Sequence, residues 1–218
     1  MTGNVLVATA ACPPLTPFRS KPSAARAGGM CSNYRLIERV PAEELFEGLD
    51  APEGWPKFEP RTDIRITDRA PIVRVGQTGA FELLQRRWSW PGPGGKPVYN
   101  FRSEGREFRR GRCVILADGF YEFTAHTDPK SKRKHKWLFT LKDSPWFGVA
   151  GLWRDDPTVG EAFTMLTCEP SRDVAPYHNR SIIVLPPADC IRWLDPAVPE
   201  REVLKPLPAG SLAVEQVA

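Results

Sequence analysis

Apolar and polar residues alternate along several short segments of the chain, and this period is typical of half-buried β-strands. Turn-forming residues bound most of these segments, and stretches with a helical period are few. The segments assigned to strands are 63–75, interrupted at Pro71; 112–123, with a turn at Asp118-Gly119; 134–141; 146–153; 162–168; and 180–186. Short helices are predicted over 41–50 and 187–194, and a loop over 91–97. The order of elements predicts an α+β or mainly β chain with one domain.

Residues 1–29 differ in composition and in hydrophobic period from the rest of the chain. They show no sustained period and are rich in Ala, Pro, Gly and Ser. No basic stretch precedes the apolar "VLVATAA", and the prolines break an amphipathic helix, so a secretory signal and a transit peptide both fit poorly. We interpret residues 1–29 as a disordered leader or as sequence upstream of a misassigned start, and expect the folded domain over 30–218.

The charge of the chain is uneven along its length. The formal net charge is +4, and residues 1–29 hold three basic side chains and no acidic one. Residues 30–218 hold 27 basic and 26 acidic side chains and are almost neutral. Attraction to nucleic acid must therefore come from local patches. No apolar run approaches the roughly 20 residues that span a bilayer, so no membrane association is expected.

The five cysteines disfavour both a disulfide framework and a zinc knuckle. Their number is odd and no pair has CxxC spacing. We expect no metal, no cofactor and a reducing, cytosolic compartment.

Cys31 directly follows a second methionine, Met30, where the strand-rich part of the chain begins. In one interpretation Cys31 is a small buried thiol. In the other, removal of everything before it gives Cys31 a free α-amine with a reference pKa of about 7.7–8.0, which is nucleophilic near neutrality. An amine and a thiol on neighbouring carbons suit the capture of an aldehyde.

Other polar residues also admit two interpretations. Glu122 ends the apolar run of "ADGFYEF" and is either a solvated strand-edge carboxylate or a general acid/base with a raised pKa. His178 lies between a proline-containing turn and a buried strand. It is either a structural histidine or an active-site histidine carried on a loop. Asn100, Arg102 and Glu104 alternate, so in a strand they share one face that is either exposed or lines a cleft.

Cations and aromatic residues occur close together in "RRWSW" (86–90) and "FRRGR" (108–112). Stacking on tryptophan with phosphate contacts from arginine suits a single strand of nucleic acid, although Trp88 and Trp90 are equally compatible with a core. The run "DPKSKRKHK" (128–136), flanked by His126 and containing His135, is interpreted as a solvated hairpin tip.

The order of these motifs resembles that of the SOS-response-associated peptidase (SRAP) family. The sequence has Met-Cys at 30–31, "NFRSE" at 100–104, "RCVILADGFYE" at 112–122 and "HNR" at 178–180, and the resemblance runs from Met30 to about Asp195. It implies an α+β fold class: a single domain of mostly antiparallel, barrel-like β-sheet with a few short flanking helices. Three departures are the 29-residue leader, "CSNY", where the family more often has Cys-Gly-Arg, and the short segment between Asn100 and Cys113 together with "HNRSII", which lacks the family's usual Met-Pro.

The resemblance also implies a function, which is the shielding of abasic sites in single-stranded DNA. Cys31 is then the N-terminal nucleophile, whose amine forms a Schiff base with the opened sugar and whose thiol closes a thiazolidine. The implied roles of the other residues are orientation of the cysteine (Asn100), acid/base catalysis (Glu122), help in ring opening (His178) and DNA contact (Trp88, Arg102, Arg180). A monomer in the cytoplasm, associated with the nucleoid, is expected.

Two alternatives use some of the same residues. One is a cysteine peptidase in which Cys31 acts with His178 or Glu122 on the leader or on other chains. The other is a module that binds single-stranded or modified DNA without a covalent step.

Overall fold

The structure, a computed structural model, describes residues 31–218 and consists of strands with three short α-helices. The expectations for residues 1–29 lie outside this part of the chain. The strands are β1 Asn33–Leu36, β2 Arg61–Arg65, β3 Arg69–Val75, β4 Phe81–Trp88, β5 Trp90–Pro91, β6 Pro97–Val98, β7 Asn100–Arg102, β8 Arg112–Ala117, β9 Gly119–Ala125, β10 Lys134–Leu141, β11 Phe147–Asp156, β12 Gly160–Cys168, β13 Ser181–Ile182, β14 Val184–Leu185 and β15 Leu212–Gln216. The α-helices are α1 Ala42–Leu45, α2 Pro187–Leu194 and α3 Glu200–Val203, and a 3₁₀ turn covers Pro93–Gly95.

Five of the strands close into a barrel in the order β12-β4-β3-β8-β11. The ring closes because β11 pairs with β12 as well as with β8. All of its pairings are antiparallel except that of β12 with β4. Completely buried side chains such as Ile72, Ile115 and Phe163 come from these strands. The predicted class of mostly antiparallel, barrel-like sheet with a few short helices is confirmed.

A second sheet, in the order β15-β10-β9-β1-β2, is joined to the barrel through the β8–β9 connection. Its pairings are all antiparallel. The bend expected at Asp118-Gly119 is present, but the two strands it joins do not pair as a hairpin, because β8 belongs to the barrel and β9 to this sheet. The change of sheet at Asp118 brings β9 and β1 together beside the barrel.

The break expected at Pro71 lies elsewhere, so that prediction was wrong. Pro71 is inside β3 and pairs with Gln85, while the pairing of β3 with β8 begins only at Ile72. Proline is therefore tolerated at the end of that ladder, where its missing N–H is not needed. The chain instead turns at Thr67, which has a φ of 81°, before β3 begins at Arg69.

Of the two predicted helices, one is confirmed over its full length. α2 covers 187–194 and packs its buried Trp193 against the barrel, with Nε1 donating to the carbonyl of Cys113 over 2.9 Å. The helix predicted over 41–50 is reduced to Ala42–Leu45. The loop predicted over 91–97 is part of a narrow ribbon formed by β5 and β6.

Candidate functional site

Cys31 lies immediately before β1 and is almost completely buried, with 1% of its surface exposed. Its backbone N–H donates to Oε1 of Glu122 over 3.2 Å, and its Sγ lies 3.6 Å from the carbonyl oxygen of Asn33. Burial and the nearby Glu122 charge raise the pKa of the Cys31 thiol well above its ordinary value. The sulfur is therefore a thiol at neutral pH, and its proton must be removed before it can attack.

Glu122 lies on β9 and is the acidic group in contact with Cys31. Only 1% of its surface is exposed. Burial raises the pKa of its carboxyl to about 8, against a smaller lowering effect of the N–H of Cys31. A carboxyl with this pKa is mostly protonated at pH 7 and can both give and accept a proton. Of the two interpretations of Glu122, the buried carboxyl with a raised pKa is the one that this geometry supports.

Asn100 holds the chain at Cys31 from the other side. It begins β7, which runs parallel to β12. Its Nδ2 donates to the carbonyl oxygen of Cys31 over 3.3 Å. Glu122 and Asn100 are thus both in direct contact with Cys31. In sequence, Glu122 is 91 positions away from it.

Two carboxylates fix β1, and sequence reasoning missed both of them. Asp118 is buried and accepts hydrogen bonds from Nε of Arg35 at 2.6 Å, from the N–H of Glu38 at 2.8 Å and from the N–H of Ile37. It had been interpreted only as a turn residue. Its contacts lock the C-terminal end of β1 to the start of β9.

The second carboxylate is Asp63 on β2, whose Oδ1 accepts from Nδ2 of Asn33 over 2.5 Å. Burial acts to raise the pKa of Asp63, but hydrogen bonds from Asn33 and Arg65 and the charges of Arg65 and Lys136 lower it more. Asp63 is therefore a carboxylate at neutral pH and anchors the residue two places after Cys31.

His178 closes a turn that starts at Ser171. Nδ1 of His178 lies 3.1 Å from the peptide nitrogen of Arg180 and 3.2 Å from the carbonyl oxygen of the same residue, and these contacts hold the ring against the backbone that enters β13. The preceding ring, Tyr177, packs 4.7 Å from Trp137. Because Trp137 is paired with Glu122 across β9 and β10, this contact brings the His178 turn to the same side of the sheet.

Arg180 is bound by a neighbouring carboxylate. Its guanidinium donates to both oxygens of Glu104, one of them at 2.8 Å, and to the carbonyl and the hydroxyl of Thr167, each at 3.0 Å. Asn100 and Arg102 lie in β7, while Glu104 lies beyond its end, so only the first two share a strand face as predicted. Arg102 is exposed.

Trp88, which was predicted to contact DNA, lies in the core of the protein. Its side chain is completely buried, and Nε1 donates to the carbonyl of Tyr99 over 3.0 Å. The ring packs edge-on against Tyr34 with centroids 5.2 Å apart. An indole enclosed in this way has no free face on which a base can stack.

Two of the five arginines in the neighbouring motifs at 86–90 and 108–112 are structural. Arg86 is 8% exposed at its side chain and forms ion pairs with Glu53 and Glu161. Arg112 is equally buried and pairs with Glu200. Their charges are neutralised inside the protein, so they do not form a phosphate-binding patch.

Within residues 31–218, no group of three or more His, Cys, Asp or Glu side chains is arranged to hold a metal ion. In the same part of the chain, no helix is long and apolar enough to cross a membrane.

The chain matches known proteins over nearly all of the described part. The model of the family described as SOS response associated peptidase (SRAP) matches residues 30–218. The abasic site processing protein YoqW of Bacillus subtilis (strain 168) is 25% identical over 212 residues, which cover 87% of this chain and 92% of that protein. The abasic site processing protein HMCES of Gallus gallus is 33% identical over 129 residues, which cover 49% of this chain and 38% of that protein.

Two solved structures from Bordetella bronchiseptica have a similar fold. One, described as a phage-related protein, has a TM-score of 0.66 and 21% identity, with 86% of this chain and 94% of that chain covered. The other, a structural-genomics target, has a TM-score of 0.61 and 25% identity, with 86% of this chain and all of that chain covered.

Proposed function

The chain belongs to the SOS response associated peptidase (SRAP) family, and from this we propose that it captures abasic sites in single-stranded DNA through a covalent bond to Cys31. Its relatives YoqW and HMCES are named as abasic site processing proteins. The protein would act in the cytoplasm on the nucleoid and as a monomer. Its product would be a DNA–protein adduct that shields the lesion.

One observation supports this proposal most directly, which is the contact between the backbone nitrogen of Cys31 and the carboxyl of Glu122 at 3.2 Å. The nitrogen becomes an α-amine when Cys31 is the first residue, and the amine, the thiol and a proton-exchanging carboxyl are then within one small site. An aldehyde that reaches this nitrogen meets all three groups needed for capture and ring closure.

The chemistry proceeds in two steps. An abasic deoxyribose opens to expose an aldehyde at C1, and the unprotonated amine of Cys31 adds to this carbon. Glu122 gives a proton to the resulting hydroxyl, which leaves as water and yields a protonated imine. The thiol then adds to the imine carbon and its proton passes to the Glu122 carboxylate, while the nitrogen keeps its own proton. The result is a thiazolidine ring.

Four further residues have proposed roles. Asn100 orients Cys31 through its hydrogen bond to the carbonyl of that residue. His178 assists opening of the sugar ring. Arg102 and Arg180 contact phosphates on either side of the lesion.

An amide at position 31 cannot form an imine, so the proposal requires that Cys31 begins the working chain. We propose that residues before Cys31 are removed by methionine removal or by self-processing. The raised pKa of the Cys31 thiol argues against a standing thiolate of the kind that a general cysteine peptidase uses. Peptidase activity on other chains is therefore not part of this proposal.

Incubation of the protein, expressed from Met30 and with its first residue checked by intact mass, with an abasic oligonucleotide tests this function. We expect a band of higher mass that survives heat and denaturant, and no such band with an undamaged oligonucleotide of the same sequence. Retention of both oligonucleotides only before denaturation would instead support the non-covalent binding module.

Replacement of Glu104 by glutamine is expected to tighten the initial binding of single-stranded DNA by about threefold at low salt. Arg180 is bound on both oxygens by this carboxylate, which a phosphate must displace. Fluorescence anisotropy on an undamaged oligonucleotide measures the change. Glu107→Gln is the matched control, because it removes an equal charge from an exposed arginine pair that does not involve Arg180. An unchanged affinity in Glu104→Gln would contradict the phosphate contact of Arg180.

A further inference from the structure

The hairpin formed by β9 and β10 carries a concentrated positive charge at its tip. Residues 128–136 hold five basic side chains and one acidic side chain, whereas residues 30–218 together hold 27 and 26. The rest of the folded part is therefore net acidic. The exposed cations of this basic tip are Lys130, Lys132, Arg133 and Lys134. Among the described residues, none of these four takes part in an ion pair.

A row of rings connects this tip to the candidate site. Tyr177 packs 4.7 Å from Trp137, Trp137 lies 6.4 Å from His135, and His135 stacks on His126 at 4.7 Å with the ring planes 22° apart. All four rings of this row are only partly buried, so part of each is accessible. Nδ1 of His126 accepts the N–H of Asp128, which helps hold the last ring in place.

The ring row lies on the face of the sheet that carries Glu122. Trp137 is in register with Glu122, and His135 is in register with Thr124. Residues that are directly opposite on antiparallel strands share a face. Three residues separate Glu122 from the end of β9 at Ala125, a length of about 10 Å. Lys134, which pairs with Ala125, is therefore the exposed cation of the basic tip nearest to Glu122 along the strands, about 10 Å from it.

Aromatic rings for stacking and cations for phosphate contact are the two elements that hold single-stranded nucleic acid without reading its sequence. Both are present on this hairpin. We propose that the β9–β10 hairpin is a track for the single strand next to the captured lesion, with bases stacked on the ring row and phosphates held by the basic tip. This inference rests on the proposed function, since it assumes that the strand reaches Glu122. The track accounts for DNA retention by a domain that is otherwise net acidic.

Anisotropy titrations of the protein expressed from Met30, on undamaged oligonucleotides of about 5 and about 20 nucleotides at several salt concentrations, test the track. The tip variant replaces Lys130, Lys132, Arg133 and Lys134 by glutamine. We expect it to bind the longer strand at least about tenfold more weakly at low salt, with the slope of log affinity against log salt reduced by about three. Its loss of affinity for the shorter strand should be smaller, because a short strand contacts fewer of the four cations at one time.

His135→Ala tests the ring row separately from charge. It should weaken binding of the longer strand by about fivefold without changing the salt slope, because it removes stacking and no formal charge. The charge-matched control replaces the exposed Arg109, Arg110, Arg201 and Lys205 by glutamine. An equal loss in this control and in the tip variant, or an equal loss on both strand lengths, would overturn the track.

The inference and the proposed function can fail independently. Crosslinking of an abasic oligonucleotide of about 5 nucleotides reports on Cys31 and should be the same in the tip variant and the parent. A parent that forms no adduct refutes the covalent function, while the titrations on undamaged strands still decide the track. A parent that crosslinks, together with a tip variant that binds the longer strand as tightly, refutes the track alone.

Discussion

Cys31→Ala, in a chain whose first residue is position 31, is expected to lose the denaturation-resistant DNA adduct by at least about a hundredfold while it still forms a short-lived imine. Alanine keeps the α-amine that attacks the aldehyde but has no sulfur to close the ring. The imine therefore hydrolyses instead of being converted to a thiazolidine. Denaturing electrophoresis with and without borohydride, which reduces an imine to a stable amine, separates the two species.

Two control proteins accompany the Cys31→Ala experiment. Cys168→Ala removes another buried thiol and should crosslink like the parent. A chain that retains Met30 has an amide at Cys31 and should give no band without borohydride, because the amine of Met30 has no thiol beside it to close a ring. A stable adduct from Cys31→Ala at the parent's level would refute the thiazolidine. An adduct that is stable without borohydride from the chain that retains Met30 would refute the Cys31 amine as the nucleophile.

Much of the fold was predictable because its strands are short apolar or alternating runs bounded by turn-forming residues. α2 was predicted with its observed bounds, since an apolar face and an initial proline mark it locally. The closure of the barrel was not predictable from such patterns, because it depends on the parallel pairing of β12 with β4, which lie more than 70 residues apart in sequence. The break near Pro71 was misplaced for a related reason: whether a strand tolerates proline depends on where its neighbour ends.

The residues of the candidate site were predictable from the sequence, but the residues that hold them in place were not. Cys31, Asn100 and Glu122 were selected through motif order, and the structure brings them into contact. Asp118 escaped notice because a buried carboxylate that binds backbone N–H groups has the same sequence signature as a turn. The burial of Trp88 was not predictable, because the sequence does not show on which side of β4 the core lies.

Charge was the least predictable property. Arg86 occurs in an arginine–tryptophan motif that suggests nucleic acid, yet two carboxylates that are distant in sequence neutralise it. The run at 128–136 was interpreted as merely solvated, and only strand register shows that its hairpin shares a face with Glu122. A cluster of cations is informative only when their partners are known.

The rate of crosslinking should follow a bell-shaped dependence on pH with a maximum near pH 8, and Glu122→Gln should remove the falling limb. Imine formation needs an unprotonated amine, with a reference pKa of about 7.7–8.0, and a protonated carboxyl. The pKa of Glu122 is raised to about 8 by burial, so the rate rises as the amine loses its proton and falls as the carboxyl does. The reactive state is the amine–carboxyl pair that holds a single proton, and its population is greatest between the two apparent pKa values of the pair.

Glutamine has the shape of the protonated acid but no proton to give, so Glu122→Gln should crosslink about a hundredfold more slowly at pH 8, with a rate that only rises to a plateau. Single-turnover crosslinking from pH 6 to pH 10 measures both profiles, and anisotropy should show that DNA is still bound. At pH 6 both side chains are neutral, so equal unfolding temperatures would exclude a damaged fold. Glu104→Gln removes a carboxylate that does not contact Cys31, and its crosslinking rate should keep the bell-shaped dependence on pH. A bell-shaped profile in Glu122→Gln would assign the falling limb to another group and refute Glu122 as the acid.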